Sequence, residues 1–480
     1  MPGSGTGQAA PGRQEIHDRR RYASQGRREA LTRGLPGRAG RNEVHMAKRG
    51  THYRKRRSGG AVLLCCLLCA AAIGAAVYFG WEYLGQSIPA GAAAESGPLS
   101  SLEGTEPSSA DPVSEASEPE PAVSSEPEPE PVVTTVRVSA SGDNLIHDGI
   151  YLQAKKRAAA AGEDGYDFAA LYEHVAPIYQ EYDLNLINIE TLVSDELEPS
   201  SYPRFCSPGD VARELYGIGM RGFFLSNNHI YDKGEEGIAS TLRFWESMPD
   251  DCFTSGLYCG EEDYGNLAVY EKNGVTFAFA AYTESTNGLP TPAGAEANVI
   301  YTSEEDVIRT QLAEASQKAD VVVVSVHWGV ENTHEVSDSQ RALAQKLADW
   351  GADIIIGTHP HVIQPVETVT ASDGQSVPVA YSLGNFVSAQ DRVDNLIGMV
   401  LGFEAEKTVQ PDGSSETVVK NLSATPVVMH YDKWYANMRL YLFSDYTEEL
   451  AASHGIGNMS TSYIQSVLEE NIAKEYWKLP

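Results

Sequence analysis

Cysteine is scarce in this chain, six residues in 480, which excludes a small scaffold built on disulfides. Positive charge is scarce too: 36 Lys+Arg face 66 Asp+Glu, a net charge of −30. The deficit is uneven, because the first 60 residues hold 15 Lys/Arg against 4 Asp/Glu and are +11, leaving −41 for the other 420. Such an acidic body lacks the positive surface that phosphate backbones require, so a nucleic-acid partner is not expected. Apolar residues are not lacking. At 42% hydrophobic and 9% aromatic the chain can bury a core and is neither wholly disordered nor fibrous.

Residues 61–80, AVLLCCLLCAAAIGAAVYFG, carry no charge and match the ~20 residues of a membrane-crossing helix. Arg54, Lys55, Arg56 and Arg57 precede them and Glu82 follows. The positive-inside rule then gives a single-pass cell-membrane anchor with residues 1–60 as a basic cytoplasmic tail and the main body outside. A signal peptide cleaved near Ala92-Ala93-Ala94 is the competing reading, disfavoured by the length of the apolar run. Met46 is an alternative start within the tail. Residues 87–133 hold ten acidic residues, no Lys or Arg, and many Ser and Pro, predicting a disordered linker that stays extended.

Residues 134–390, completed by the strands and final helix of 391–480, read as one α/β domain. Buried strands are expected at 133–141, 184–189, 222–226, 320–326 and 353–358. Amphipathic helices are expected at 166–182, 209–216, 235–246, 303–319 and 337–350, and a hairpin at Asn273-Gly274. Strand-like runs after the last of these helices make the sheets mixed, with two sheets stacked. Cys252 and Cys259, seven apart, could form an extracytoplasmic disulfide, leaving Cys206 over.

Each of the five strands ends in a residue able to bind a metal: Asp143, Glu190, Asn228 beside His229, His327, and His359 with His361. Strand carboxyl ends are where α/β sites assemble. Singly, each has a plainer reading, an Asp as a helix cap or a His as a satisfied core residue. Together they form the mixed oxygen and nitrogen set that suits Mn, Zn or Fe better than Ca, as one or two divalent ions. Asp232 either orients His229 or caps the helix near Glu235. Asn385, in SLGNF, ends another strand at the same rim or lies apart from it.

The segments SGDNLIHDG, NLINIETLVSD, FFLSNNHIYDKGEEGI, VVVVSVHWGVE, DIIIGTHPHVIQPVE and VAYSLGNFV resemble, in order and spacing over 136–390, the CapA or PgsA-type capsule (poly-γ-glutamate) synthesis proteins. That family looks like a divergent branch of the calcineurin-like metallophosphoesterases. The resemblance implies a four-layer αββα sandwich and a two-metal centre. In it Asp143, Asn228, His327 and His359 would be ligands, Glu190 would bridge, and His361 would be a further ligand or substrate contact. His229 would protonate a leaving group, with Asp232 as its partner. Leu145 stands where the phosphoesterase Asp-x-His motif has its histidine, and His147 lies two residues further on.

Two functions follow from the resemblance. One is metal-dependent hydrolysis of a phosphoester or related bond, whether or not linked to capsule. The other is a metal-binding scaffold, without turnover, that assists assembly or export of an anionic surface polymer together with its synthesis proteins. Residues 134–480 carry 51 Asp+Glu against 21 Lys+Arg, so a polyanion needs bound cations or a local basic patch as a bridge.

Overall fold

A computed structural model describes residues 130–478. The basic tail, the 61–80 segment and nearly all of the 87–133 linker lie outside these residues. Among the described residues no helix is long and apolar enough to cross a membrane.

In chain order the strands are β1 (Val132–Asn144), β2 (Leu184–Ile189), β3 (Val193–Ser194), β4 (Ser207–Pro208), β5 (Gly222–Phe224), β6 (Phe253–Ser255), β7 (Ala268–Lys272) and β8 (Val275–Thr283). They continue as β9 (Val321–His327), β10 (Ile354–Thr358), β11 (Ile363–Thr370), β12 (Ser376–Leu383), β13 (Asn385–Val387), β14 (Ile397–Val409), β15 (Ser415–Asp432) and β16 (Ala436–Leu442). One sheet runs β16-β15-β14-β1-β2-β5-β6, with β13 also paired to β1; the other runs β11-β12-β10-β9-β8-β7. In the first, β1, β2, β5 and β6 are parallel and β14–β16 antiparallel. In the second, β8, β9, β10 and β12 are parallel, with antiparallel edges. Both sheets are therefore mixed, as expected.

Period-2 alternation explains the layering. Phe277, Phe279, Ala281, Val321, Val323, Ile354 and Ile356 turn toward Val136, Val138 and Ala140 of the first sheet in one shared core. Their neighbours Ala278, Ala280, Tyr282, Val322, Val324 and Ile355 turn outward onto Ile308, Leu312, Ala344 and Leu347. Those four lie on the helices Glu305–Lys318 and Asp338–Asp349; the second opens with a capping box between Ser337 and Gln340. On the first sheet's side, Asp148–Ala161, Asp210–Gly217 and Gly234–Glu246 bury Ile150, Ala154, Val211, Leu215 and Phe244. The hairpin turns where expected, with Asn273 at φ 50° and Gly274 at φ 80°, the left-handed pair of a type I′ turn.

Three expectations need correction. The single helix expected at 166–182 is broken into Ala169–Tyr172 and a 3-10 turn at Ala176–Glu181, with Pro177 at the start of the second piece; proline has no N–H to continue a helix. The helix Asp148–Ala161 was not foreseen. Cys206, Cys252 and Cys259 are all free thiols, so the possible Cys252–Cys259 disulfide is not formed; the chain between these two runs through β6 and the Tyr258–Asn298 bridge.

Candidate metal centre

The parallel strands of both sheets present their carboxyl ends at one rim, and the donors foreseen in the sequence meet there. Asp143 is the penultimate residue of β1, Glu190 follows β2, and Asn228 lies four residues past β5. His327 is the last residue of β9, while His359 and His361 follow β10. The first three hang from one sheet and the histidines from the other. All but half-buried His359 are buried, and Glu190 and Asp143 are 0% exposed.

Two groups share Glu190. Around its Oε1, His327 Nε2 lies at 3.5 Å, and that nitrogen is 3.2 Å from Asn228 Oδ1 and 3.1 Å from His359 Nδ1. Around its Oε2, His361 Nδ1 lies at 3.6 Å and is equally 3.6 Å from Asp143 Oδ2. The sets Glu190/His327/His359 and Asp143/Glu190/His361 are each tight enough to hold a metal ion. Both Glu190 oxygens are buried without any hydrogen-bond partner. A buried carboxylate without a partner is costly, and a divalent ion at each oxygen would satisfy it, so the donors fit a two-metal site.

The electrostatics point the same way. Burial pushes Glu190 up to about 8, reinforced by Asp143 and opposed by His361. Burial would depress His361, but Glu190 and Asp143 override it and raise the ring to about 10. Burial would likewise raise Asp143, yet its hydrogen bond with His361 and the neighbouring His327 and His361 hold it below its ordinary value. Burial lowers His327 and His359 to about 3, keeping both neutral and available as ligands. Two carboxylates thus share one cationic ring, so ionising Glu190 as well as Asp143 leaves a negative charge that an added cation would neutralise.

Local structure aims these groups. His359 at φ 95° and His361 at φ 59° sit in backbone conformations rare for non-glycine residues, which turns both rings inward from one short loop. Thr358 Oγ1 holds His327 Nδ1 at 3.0 Å, and Asp143 accepts from Asn188 Nδ2 at 2.7 Å and from the His359 N–H at 3.1 Å.

Across residues 137–390 the chain matches the family model of the bacterial capsule synthesis protein PGA_cap. The chain belongs to that family. Its relatives include the PGA biosynthesis protein CapA of Bacillus subtilis, 29% identical over 224 residues, covering 46% of this chain and 57% of that protein. The capsule biosynthesis protein CapA of Bacillus anthracis is 29% identical over 237 residues, 46% and 54%, and a probable polyglutamine synthesis accessory protein of Mycobacterium tuberculosis is 24% identical over 222, 43% and 55%. The chain thus spans little more than half the length of the curated relatives it matches. Among solved structures, the NAD nucleotidase NadN of Haemophilus influenzae overlaps at TM-score 0.36 and 11% identity, covering 72% of this chain and 57% of that one. A putative 5'-nucleotidase from Staphylococcus aureus overlaps at 0.36 and 13%, covering 61% and 54%. These overlaps are too loose to carry any correspondence between residues.

Beside the metal donors this PGA_cap chain places a histidine dyad. His229 Nδ1 lies 2.8 Å from Asp232 Oδ2, which also accepts from the Phe205 N–H at 2.6 Å. Asp232 therefore orients the ring; the following helix has no side-chain cap at its N-terminus. Phe205 packs edge-on against His229 with ring centroids 4.7 Å apart. Nδ1 is committed, so Nε2 is the nitrogen left to exchange a proton. Trp328 is structural, donating to Tyr381 O at 2.9 Å within the outer core. Asn188 and Thr358 escaped the sequence reading; their one signal was polarity at the end of an otherwise apolar strand.

Proposed function

We propose that this chain is a membrane-anchored, extracytoplasmic PGA_cap protein that serves capsule or surface-polymer synthesis of the poly-γ-glutamate type through a metal-dependent hydrolase centre. The observation that carries the centre is Glu190, whose two partnerless buried oxygens each face a separate set of ligands. Two bound divalent ions would activate a shared water and stabilise attacking and leaving oxygens. Asp143, His361, Glu190, His327, His359 and Asn228 would hold them. Asp232 holds the Nδ1 side of His229, which leaves Nε2 as the nitrogen that would give a proton to a leaving group. Metal analysis of wild type and Glu190→Gln, paired with metal-dependent release of p-nitrophenol from phosphomonoesters and diesters, tests this reading. Wild type free of metal and inactive with Mn²⁺, Zn²⁺, Fe²⁺ and Mg²⁺ would end it.

The charge of the domain supports a second reading, a scaffold without turnover. With 51 Asp+Glu against 21 Lys+Arg over 134–480, cations at the rim are what would let a polyanion approach. In a deletion strain, polymer restored by a copy carrying Asp143→Ala and His359→Ala would show that neither metal nor hydrolysis is needed; failure of that copy favours the centre.

A further inference from the structure

The two ligand groups differ in the number of donors they offer. The Oε1 group contains a side-chain amide, Asn228, whereas the Oε2 group as described has Asp143, Glu190 and His361 alone. We infer that Asn385 supplies the missing amide oxygen, as a fourth ligand to the ion held at Glu190 Oε2. The inference rests on the metal reading of this site.

Asn385 is buried, 2% exposed, and its orientation is fixed by its partners. Its Nδ2 is 2.8 Å from the backbone carbonyl of Asn395, which can only accept, and 2.9 Å from Gln390 Oε1. Oδ1 therefore points the other way, 3.0 Å from His361 Nδ1, the nitrogen that faces Asp143 and Glu190. Ligands ~2.1 Å from one ion stand ~3.0 Å apart at right angles and ~3.4 Å apart at tetrahedral angles. From His361 Nδ1 the 3.0 Å to Asn385 matches the right-angle spacing, and the 3.6 Å to each carboxylate lies slightly beyond the tetrahedral one, as expected of donors that would draw in about an ion.

The backbone is arranged for this meeting. β13 pairs with β1 so that Asn385 lies opposite Asp143, and the Asp143 N–H donates to Gly384 O at 3.1 Å. A Cβ at Gly142 would sit 2.0 Å from that same carbonyl, so the approach requires glycine. Leu145, two residues beyond Asp143, is apolar, and His147 turns Nδ1 to the backbone, either accepting the Ala389 N–H at 3.2 Å or donating to Leu145 O at 3.1 Å.

The test uses the full chain in detergent, stripped and reloaded with Mn²⁺ or Co²⁺. Wild type is expected to bind two ions. Asn385→Leu should bind one unchanged and the other at least ~10-fold more weakly, and its cobalt visible band should intensify as one ion loses a ligand. Asn385→Asp, which restores an oxygen and adds a charge, should keep both ions and tighten the affected one. Wild-type affinity for both ions in Asn385→Leu, or weaker binding with an unaltered cobalt band, overturns the inference and leaves the metal centre standing. Asn385→Asp with no tighter ion overturns it also, even if the leucine variant does not fold. Wild type without metal overturns the centre and the inference together.

Discussion

Among the described residues buried histidines cluster in two places, and one of the two has the makings of a site. In the C-terminal part, His430 and His454 are 4% and 2% exposed with rings 5.0 Å apart. His430 Nδ1 meets Tyr446 OH at 2.8 Å. His454 Nδ1 accepts the Ile456 N–H at 3.0 Å, and Nε2 donates to Met429 O at 3.2 Å. Every ring nitrogen has a protein partner, apart from His430 Nε2, which lies 3.5 Å from Asp432. At the strand-end rim the histidines face a carboxylate whose two oxygens have no partner. Burial alone is common to both clusters. What separates them is unmet demand: a structural cluster closes its own hydrogen bonds, whereas the rim closes only with ions added.

Substitutions should divide along that line. Glu190→Gln is expected to have the largest effect, lowering metal affinity by more than ~100-fold without changing the circular dichroism of the fold; metal retained at wild-type affinity would break the contrast. His229→Asn should lower turnover of a phosphodiester substrate by about 10²–10⁴-fold with metal content unchanged, as measured by p-nitrophenol release. At the other cluster, Tyr446→Phe strips His430 of its closest partner and should cost about 1–3 kcal/mol in denaturant unfolding, with both ions still bound.

The remaining effect is one of pH. Burial lowers His454 from 6.5 to about 4. Between those values the unfolded chain binds the extra proton, so stability is highest above pH 6.5 and falls as pH drops toward 4. Melting of the metal-free protein should show this slope, and His454→Gln should make it shallower without abolishing it, because the buried His327 and His359 are lowered in the same direction.

Much of this was legible in the sequence because buried strands write themselves as apolar runs and their ends as polar breaks. VVVVSVH and IIIGTHPH announce both the strand and the donor that follows it. The helix Asp148–Ala161 escaped because its buried face consists only of Ile150, Ala154 and Ala158, too small a stripe among alanines and lysines to stand out. Asn385 could not be assigned to the rim because its pairing with Asp143 is a matter of register between segments about 240 residues apart. Whether Cys252 and Cys259 pair was open in the sequence for the same kind of reason, and both are free thiols: short separation along the chain says nothing about whether the intervening backbone is extended.

Asp143, Glu190 and Asn228 hang from one sheet and His327, His359 and His361 from the other, so a cation bound among them would act as a rivet through the sandwich. Emptied of metal, the protein would then be a looser object than the loaded one, and capture of ions would be the last stage of its folding.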